Sequence, residues 1–310
     1  MRPQDSTKTS ADLSLDGHGT GAGASEPVRG QSLWQDAFRR IRKNRAAVIS
    51  GGLLLFIALF CVVGPWLTPW RFDVPDLEYG AQGPSWRHWF GTDALGRDLM
   101  VRCMVGGRLS LLIGLTATVV SLVIGVTVGA VSGYFGGRID AFLMRVVDIL
   151  YTLPFIFFAI LLLAIFGRSL VIVFVALGAV TWLTMARIVR GQVLSLRNAE
   201  FVQAARTMGV SHFGIIFRHL VPNTLGPTIV YATLTVPAVM LQEAFLSFLG
   251  LGIAAPNASW GLLVSDGAAN MTFLPHQLVF PALLLSTTLL CLNFLGDGLR
   301  DALDPRMRFD

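Results

Sequence analysis

Charged residues are scarce in this chain of 310 residues. Asp, Glu, Lys and Arg make up only 14% of the sequence, whereas 54% is apolar and the mean hydropathy is +0.64. A soluble globular domain carries about 25% charged residues. Most of the chain is therefore expected to face lipid or other lipid-buried helices, which predicts an all-α membrane protein.

Lysine is almost absent, since only Lys8 and Lys43 occur and none follows. A phosphate-binding loop of the GxxxxGK[ST] type is thereby excluded beyond position 43, because the lysine that reaches the phosphates is missing. We expect this chain to bind no cofactor. If ATP drives the protein, another chain must bind that ATP.

Cysteine and histidine offer no metal or disulfide framework. Cys61, Cys103 and Cys291 are odd in number and far apart, and the five histidines form no HExxH or Cys/His pattern. The sequence also lacks GxSxG and any paired acid and base in a plausible cleft, so an enzyme is not predicted. The net charge is +5, and most of the basic residues lie beside apolar runs. No nucleic-acid partner is therefore expected.

Long apolar runs are what the chain does have. A hydrocarbon core of about 30 Å needs a helix of about 20 apolar residues. Six runs meet this length, and the predicted transmembrane helices are 47–69, 110–134, 149–167, 170–188, 226–249 and 279–297.

The two ends of the chain differ from these runs in composition. Residues 1–31 are rich in Gly, Ser and Asp and are expected to be a disordered tail, since they lack the apolar content for a core. Residues 32–46 form a basic amphipathic lead-in, and 299–310 form a second tail. Fifteen Lys and Arg residues flank the spans on the side of the termini and six on the other, so both termini are predicted to be cytoplasmic.

Two segments would then lie outside. The first, 70–107, is predicted to carry a short interfacial helix capped by Thr92 or Asp93, with Leu95, Leu99 and Cys103 on one face. The second follows the fifth span and mixes Trp260 with small and polar residues. It fits either a surface loop or an external lid.

The predicted spans contain regularly spaced glycines and two prolines. Gly125, Gly129 and Gly133 recur at every fourth position, which predicts close approach of another helix backbone. Pro154 and Pro237 are expected to kink their helices.

Ionisable residues inside the spans are few. Arg145 and Asp148 lie three residues apart, which predicts an ion pair at the start of the third span. Glu243 lies deep in the fifth span beside Gln242, with no basic residue at helical spacing. It could line a substrate path together with Gln242, be protonated, or bond a neighbouring helix.

The stretch 198–223 between spans four and five is too polar to cross a membrane. Asn198 is a good N-cap, Glu200 falls in the favoured first turn, and Gly209 suits a left-handed C-cap. Ser211 is expected to cap a second short helix that ends before Pro222.

One face of the first short helix is predicted to be apolar. Phe201, Ala204, Ala205 and Met208 share that face, with two small residues between two larger ones. Such a face fits a groove on another protein with the backbone held close. A protein partner on the cytoplasmic side explains it better than a membrane surface does.

The same stretch resembles the "EAA" loop of bacterial ATP-binding-cassette importer permeases. Gln203, Ala204, Ala205, Gly209 and Pro222 occupy the motif positions, with Gln203 in place of the usual Glu. "FGTDALGRD", "GGRLSL", "MARIVRGQ", "FLSFLGLG", "SWGLLVSDGA" and "NFLGDGLRDALDP" are similar to the C-type permease of oligopeptide and dipeptide importers. The resemblance runs from about Ser32 to the C-terminus.

The resemblance implies a type I importer permease fold in the bacterial inner membrane, with its permease domain at about 106–298. It implies a second homologous permease subunit, two cytoplasmic ATPase subunits that bind ATP, and a periplasmic or lipid-anchored peptide-binding protein. The residues expected to dock the ATPase are Phe201, Gln203, Ala204, Ala205, Met208 and Gly209.

The resemblance places oligopeptides first as cargo, with dipeptides, modified peptides and metal chelates as alternatives. An ion-coupled secondary transporter is the competing class, but it has no need for a docking loop between spans four and five.

Overall fold

The computed structural model describes residues 33–167, 169–254 and 256–303, and this part of the chain is helical. The expected tail 1–31, Arg168 and residues 304–310 lie outside the described residues. The helices are α1 (Leu33–Lys43), α2 (Arg45–Val63), α3 (Leu99–Phe135), α4 (Gly137–Thr152), α5 (Phe155–Phe166), α6 (Leu170–Leu196), α7 (Glu200–Thr207), α8 (His212–Gly214), α9 (Val221–Phe248), α10 (Trp260–Ala269) and α11 (His276–Leu303).

Among the described residues, five helices are long and apolar enough to cross a membrane. They are Arg45–Trp66, Leu99–Phe135, Leu170–Leu196, His212–Phe248 and His276–Leu303. Five of the six predicted runs correspond to these helices, and they extend beyond them only by three residues at the C-terminal side of 47–69 and by one at that of 226–249. The all-helical membrane fold predicted from composition is confirmed.

The third predicted span, 149–167, is not one straight helix. It is divided between α4 and α5, which meet at an angle of 81°. Pro154 explains the break, because a proline lacks the N–H of a helix and drives the preceding residue, Leu153, into an extended conformation. With 12 residues, α5 is about 18 Å long, so it needs α4 to make a sixth span.

The glycine repeat brings α3 and α6 into direct backbone contact, as predicted. A Cβ atom on Gly125 would lie 2.6 Å from the Cβ of Met185, and one on Gly133 would lie 2.9 Å from the carbonyl oxygen of Arg190. Any side chain would therefore force the two helices apart.

The predicted interfacial helix within 70–107 is wrong. The segment between the 3₁₀ turn at Gly64–Trp66 and Leu99 contains no helix among its described residues. The helix begins at Leu99, where Asp98 is the N-cap and its Oδ1 accepts a hydrogen bond from the Val101 N–H at 2.8 Å. Residues 99–107 therefore belong to the long helix α3.

The two predicted caps hold turns here and start no helix. Oδ1 of Asp93 accepts hydrogen bonds from the N–H groups of Leu95 and Arg97, both at 2.9 Å, and so closes a turn. The hydroxyl of Thr92 donates to the carbonyl of Gly80 at 2.8 Å. The carboxylate of Asp93 accepts from Arg97 Nε at 2.7 Å and from Arg102 Nη1 at 2.5 Å. These bonds hold the segment as a compact turn against the start of α3.

The segment between α9 and α11 is not a plain surface loop, because it contains α10. Ser259 caps this helix, accepting a hydrogen bond from the Leu262 N–H at 3.1 Å. Trp260 is fully buried, and its Nε1 donates to the carbonyl of Cys103 at 2.8 Å. The helix is thereby fastened to α3.

The predicted pair between Arg145 and Asp148 is wrong. Asp148 instead accepts a hydrogen bond from Arg187 Nη2 at 2.8 Å, and the Arg187 guanidinium also lies over the Tyr151 ring at 4.2 Å. The bend after α4 brings this end of the helix beside α6, so the tertiary partner replaces the local one.

Candidate functional site

The predicted docking segment begins with α7, which is positioned without the expected cap. Asn198 is not the N-cap; Ala199 occupies that position, and no side chain caps the helix. The carbonyl of Asn198 instead accepts a hydrogen bond from Gln203 Nε2 at 2.9 Å. The helix starts one residue later than predicted, and Glu200 lies in its first turn.

The end of α7 is closed by Gly209 as predicted. This glycine has a φ of +76°. Its N–H donates to the carbonyl of Arg206 at 3.0 Å, and the N–H of Val210 donates to the carbonyl of Ala205 at 3.1 Å. This is the Schellman arrangement, which satisfies the last carbonyls of a helix and reverses the chain.

The side chains of α7 divide into an inner and an outer set. Val202 and Ala205 are buried in an apolar cluster with Ile215, Ile216 and Leu220. The grouping of Ala205 with the outward residues is therefore corrected: it fixes α7 to the start of the next helix. Val202 was missed, although its spacing of three from Ala205 is a helical signal.

Four of the predicted docking residues point outward. Phe201 is 39% exposed and Met208 is 73% exposed, and Gln203 and Ala204 are also exposed. Together these four residues form an outer face of α7, next to the turn at Gly209.

The second half of the segment is not a separate short helix. The Ser211 hydroxyl accepts a hydrogen bond from the Gly214 N–H at 3.2 Å, as predicted, but the helix then continues through a π turn at Ile215–Leu220 into α9. Pro222 has no N–H to bond the preceding turn, and the wider π turn accommodates its ring. The second half of the predicted docking segment and the fifth span thus form one continuous helix, His212–Phe248.

Tyr134, at the end of α3, connects to both halves of the segment. Its hydroxyl lies 2.8 Å from Nδ1 of His212, and the Arg206 guanidinium lies 5.2 Å from the centre of its ring. No sequence spacing signals this contact, since 78 residues separate Tyr134 and His212.

The same end of α3 is braced by an ion pair between α4 and α6. Asp140 accepts from Arg190 at 2.5 Å and 2.7 Å, through two parallel hydrogen bonds. The Ser132 hydroxyl donates to the same carboxylate at 2.5 Å. Bidentate pairs of this kind fix geometry as well as charge.

Glu243 is buried, with 1% of its surface exposed. Its Oε1 accepts hydrogen bonds from Ser247 at 2.8 Å and Ser259 at 2.7 Å, and its Oε2 lies 3.4 Å from the Ser110 hydroxyl. Of the three alternatives for Glu243, the structure shows the hydrogen bonds to neighbouring helices. The path-lining role of Glu243 stays a prediction.

Gln242 lies in a different environment, because adjacent helical residues point about 100° apart. It borders a cavity of about 400 Å³ between α5, α6 and α9. The polar residues around that cavity are uncharged: Tyr151, Thr181, Thr184, Tyr231, Thr235 and Gln242.

Two family models match the chain. One is described as "Binding-protein-dependent transport system inner membrane component" and matches residues 125–309. The other is described as "N-terminal TM domain of oligopeptide transport permease C" and matches residues 32–84. The second match covers α1 and α2, and the first covers the chain from the end of α3 onward, including α7.

Similar curated proteins extend over nearly the whole chain. The oligopeptide transport system permease protein OppC of Haemophilus influenzae is 52% identical over 91% of both chains. The OppC of Escherichia coli K12 is 53% identical over 91% of this chain and 94% of its own. The dipeptide transport system permease protein DppC of Bacillus subtilis is 48% identical over 89% of this chain and 87% of its own.

A solved structure supports the fold. A chain of the MetNI methionine ABC transporter in an inward-facing conformation superposes with a TM-score of 0.54, at 20% identity, over 66% of this chain and 96% of its own. The chain therefore has the type I importer permease fold and belongs to the inner-membrane permeases of binding-protein-dependent ABC transport systems, in the oligopeptide permease C branch.

Proposed function

We propose that the chain is a permease subunit of an ATP-driven importer that moves oligopeptides across the bacterial inner membrane. The observation that carries this proposal is the outer face of α7. It exposes the apolar side chains of Phe201 and Met208, while the inner face of α7 packs on the start of the next helix. The oligopeptide relatives at 52% and 53% identity support the cargo.

The outer face of α7 would dock a cytoplasmic ATPase subunit. Phe201 and Met208 supply the apolar contact area, and Ala204 between them allows close approach of the partner. Because the segment continues through α8 and the π turn into α9, a displacement of the docked ATPase would move the fifth span directly. The segment would then act as the two-state element that coupling requires.

The remaining subunits are part of the proposal. A second homologous permease would complete the translocation path, of which this chain forms half. Two ATPase subunits would bind and hydrolyse ATP, and a periplasmic or lipid-anchored binding protein would deliver the peptide. With α7 on the ATPase side, both termini would be cytoplasmic, as the distribution of Lys and Arg predicts.

The cavity beside Gln242 would form part of the path. Its polar lining is uncharged and rich in hydroxyl groups, so it offers hydrogen bonds without selecting for side-chain charge. Dipeptides are the second candidate cargo, favoured by the 48% identity to a dipeptide permease. Competition between labelled pentapeptides and dipeptides for uptake distinguishes the two.

The docking proposal is tested in proteoliposomes containing the assembled transporter. Met208→Asp places a charge in the outer face of α7 and is expected to lower peptide uptake by at least ten-fold, because a buried unpaired carboxylate disfavours the interface. Met271→Asp is the matched control, since Met271 is also exposed but lies between α10 and α11. Wild-type uptake by the Met208 variant contradicts the docking assignment.

A further inference from the structure

An apolar groove of about 790 Å³ lies where α2 ends and α3 begins. Its volume is within the range that encloses small ligands. The apolar lining includes Phe56, Leu59, Val63, Leu67, Trp70 and Met104. Most of its α2 residues are exposed along the side of the helix, so the groove opens toward the surroundings of a membrane span.

One cationic side chain stands at the edge of this groove. The Arg87 guanidinium lies 5.1 Å from the centre of the Trp70 ring and 5.3 Å from that of Tyr79. These contacts hold it over the groove, and the residue itself is exposed. Among the described side chains, no carboxylate lies within salt-bridge distance of Arg87.

The acidic residue that borders the groove does not neutralise Arg87. Asp98 is buried and lies 2.8 Å from Nδ1 of His88, while its other oxygen caps α3. Trp89 also borders the groove and is largely exposed. The groove thus combines apolar walls, a cationic edge and amphipathic aromatic rings, which are enriched where a bilayer meets water.

We propose that this groove binds one anionic phospholipid, with an acyl chain along α2 and the headgroup phosphate on Arg87. A guanidinium matches a phosphate in charge and in hydrogen-bond geometry. A covering helix from another subunit would satisfy the apolar walls, but it would need an acidic side chain opposite Arg87 as well. An amphiphile satisfies both parts of the site.

Native mass spectrometry of the full-length protein tests the proposal. Delipidated protein is titrated with phosphatidylglycerol and, separately, with phosphatidylethanolamine, and retained lipid is counted. We expect a preference for phosphatidylglycerol that Arg87→Gln reduces by about five-fold, the effect of one basic residue near a lipid surface, and that Arg87→Lys partly retains.

Two control variants separate this site from general effects. Arg71→Gln removes the same charge from the same segment, but Arg71 is paired with Asp73 at 3.0 Å and does not border the groove; its hydrogen bond lowers the pKa of Asp73. Val63→Trp fills the groove and is expected to lower retention of both lipids. Ile49→Trp, on an exposed position of α2 outside the groove, is expected to leave retention unchanged.

Three results overturn the proposal. The first is equal retention of the two lipids by the wild-type protein. The second is an equal loss of phosphatidylglycerol retention in the Arg71→Gln and Arg87→Gln variants. The third is a cross-link in native membranes from Val63→Cys to another protein subunit, which shows that a protein covers the groove.

Discussion

The hydroxyl of Ser259 lies 2.7 Å from Oε1 of Glu243, and this bond joins the segment before α10 to the C-terminal part of α9. The Ser259 hydroxyl also accepts from the N–H of Leu262, so one side chain caps α10 and holds it to the span. With Ser247 and Ser110 as further partners, the buried carboxylate connects α3, α9 and α10.

Replacement of Glu243 is therefore expected to act on stability. Glu243→Ala leaves buried serine hydroxyls without their acceptor and should cost about 2–3 kcal/mol, seen as a lower midpoint of thermal unfolding in detergent. Glu243→Gln keeps an acceptor oxygen and should cost less. An unchanged midpoint together with lost import in Glu243→Ala would show that the carboxylate serves the path instead.

The glycine contacts between α3 and α6 predict a sharp difference between two alanine substitutions. A Cβ on Gly129 would collide with the carbonyl oxygen of Ala186, whereas a Cβ on Gly52 in α2 meets no atom within 4 Å. Gly129→Ala should cost about 1–3 kcal/mol, and Gly52→Ala should be neutral or slightly stabilising. Equal unfolding midpoints for the two variants contradict this account of the α3–α6 contact.

Gly209 has space around it for a side chain, but its backbone conformation disfavours one. At both Gly209 and Gly191, no atom lies within 4 Å of the position that a Cβ would take. Of the two glycines, only Gly209 has a positive φ. Gly209→Ala should therefore cost about 1–2 kcal/mol through backbone strain, while Gly191→Ala in α6 should stabilise by up to about 1 kcal/mol. Hydrogen exchange of the amides in α7 measures the local effect; equal protection in both variants would refute it.

Two adjacent alanines in α7 should respond differently to tryptophan. Ala205 is 1% exposed, so Ala205→Trp overpacks the cluster beneath α7 and lowers the unfolding midpoint. Ala204 is exposed, so Ala204→Trp should leave the midpoint unchanged but reduce peptide uptake by blocking the proposed dock. Wild-type uptake by a folded Ala204→Trp variant argues against docking, and an unchanged midpoint in Ala205→Trp argues against the inner packing.

Local features of the chain were predictable from the sequence. Hydropathy located five spans, because the cost of placing polar groups in lipid applies to each run separately. Gly209 was identified as a C-cap because its requirement for positive φ is a property of the local backbone. Pro154 marked the break between α4 and α5, although not its angle of 81°.

The tertiary structure decided which side chains face each other. The sequence by itself determined a membrane permease with a polar segment between two spans, since composition, periodicity and motif order are properties of the linear chain. It could not determine that Ala205 faces inward, that Glu243 meets Ser110 133 residues away, or that the helix from His212 continues into the fifth span. These depend on which helices meet and at what distance, as the close α3–α6 contact at Gly129 illustrates.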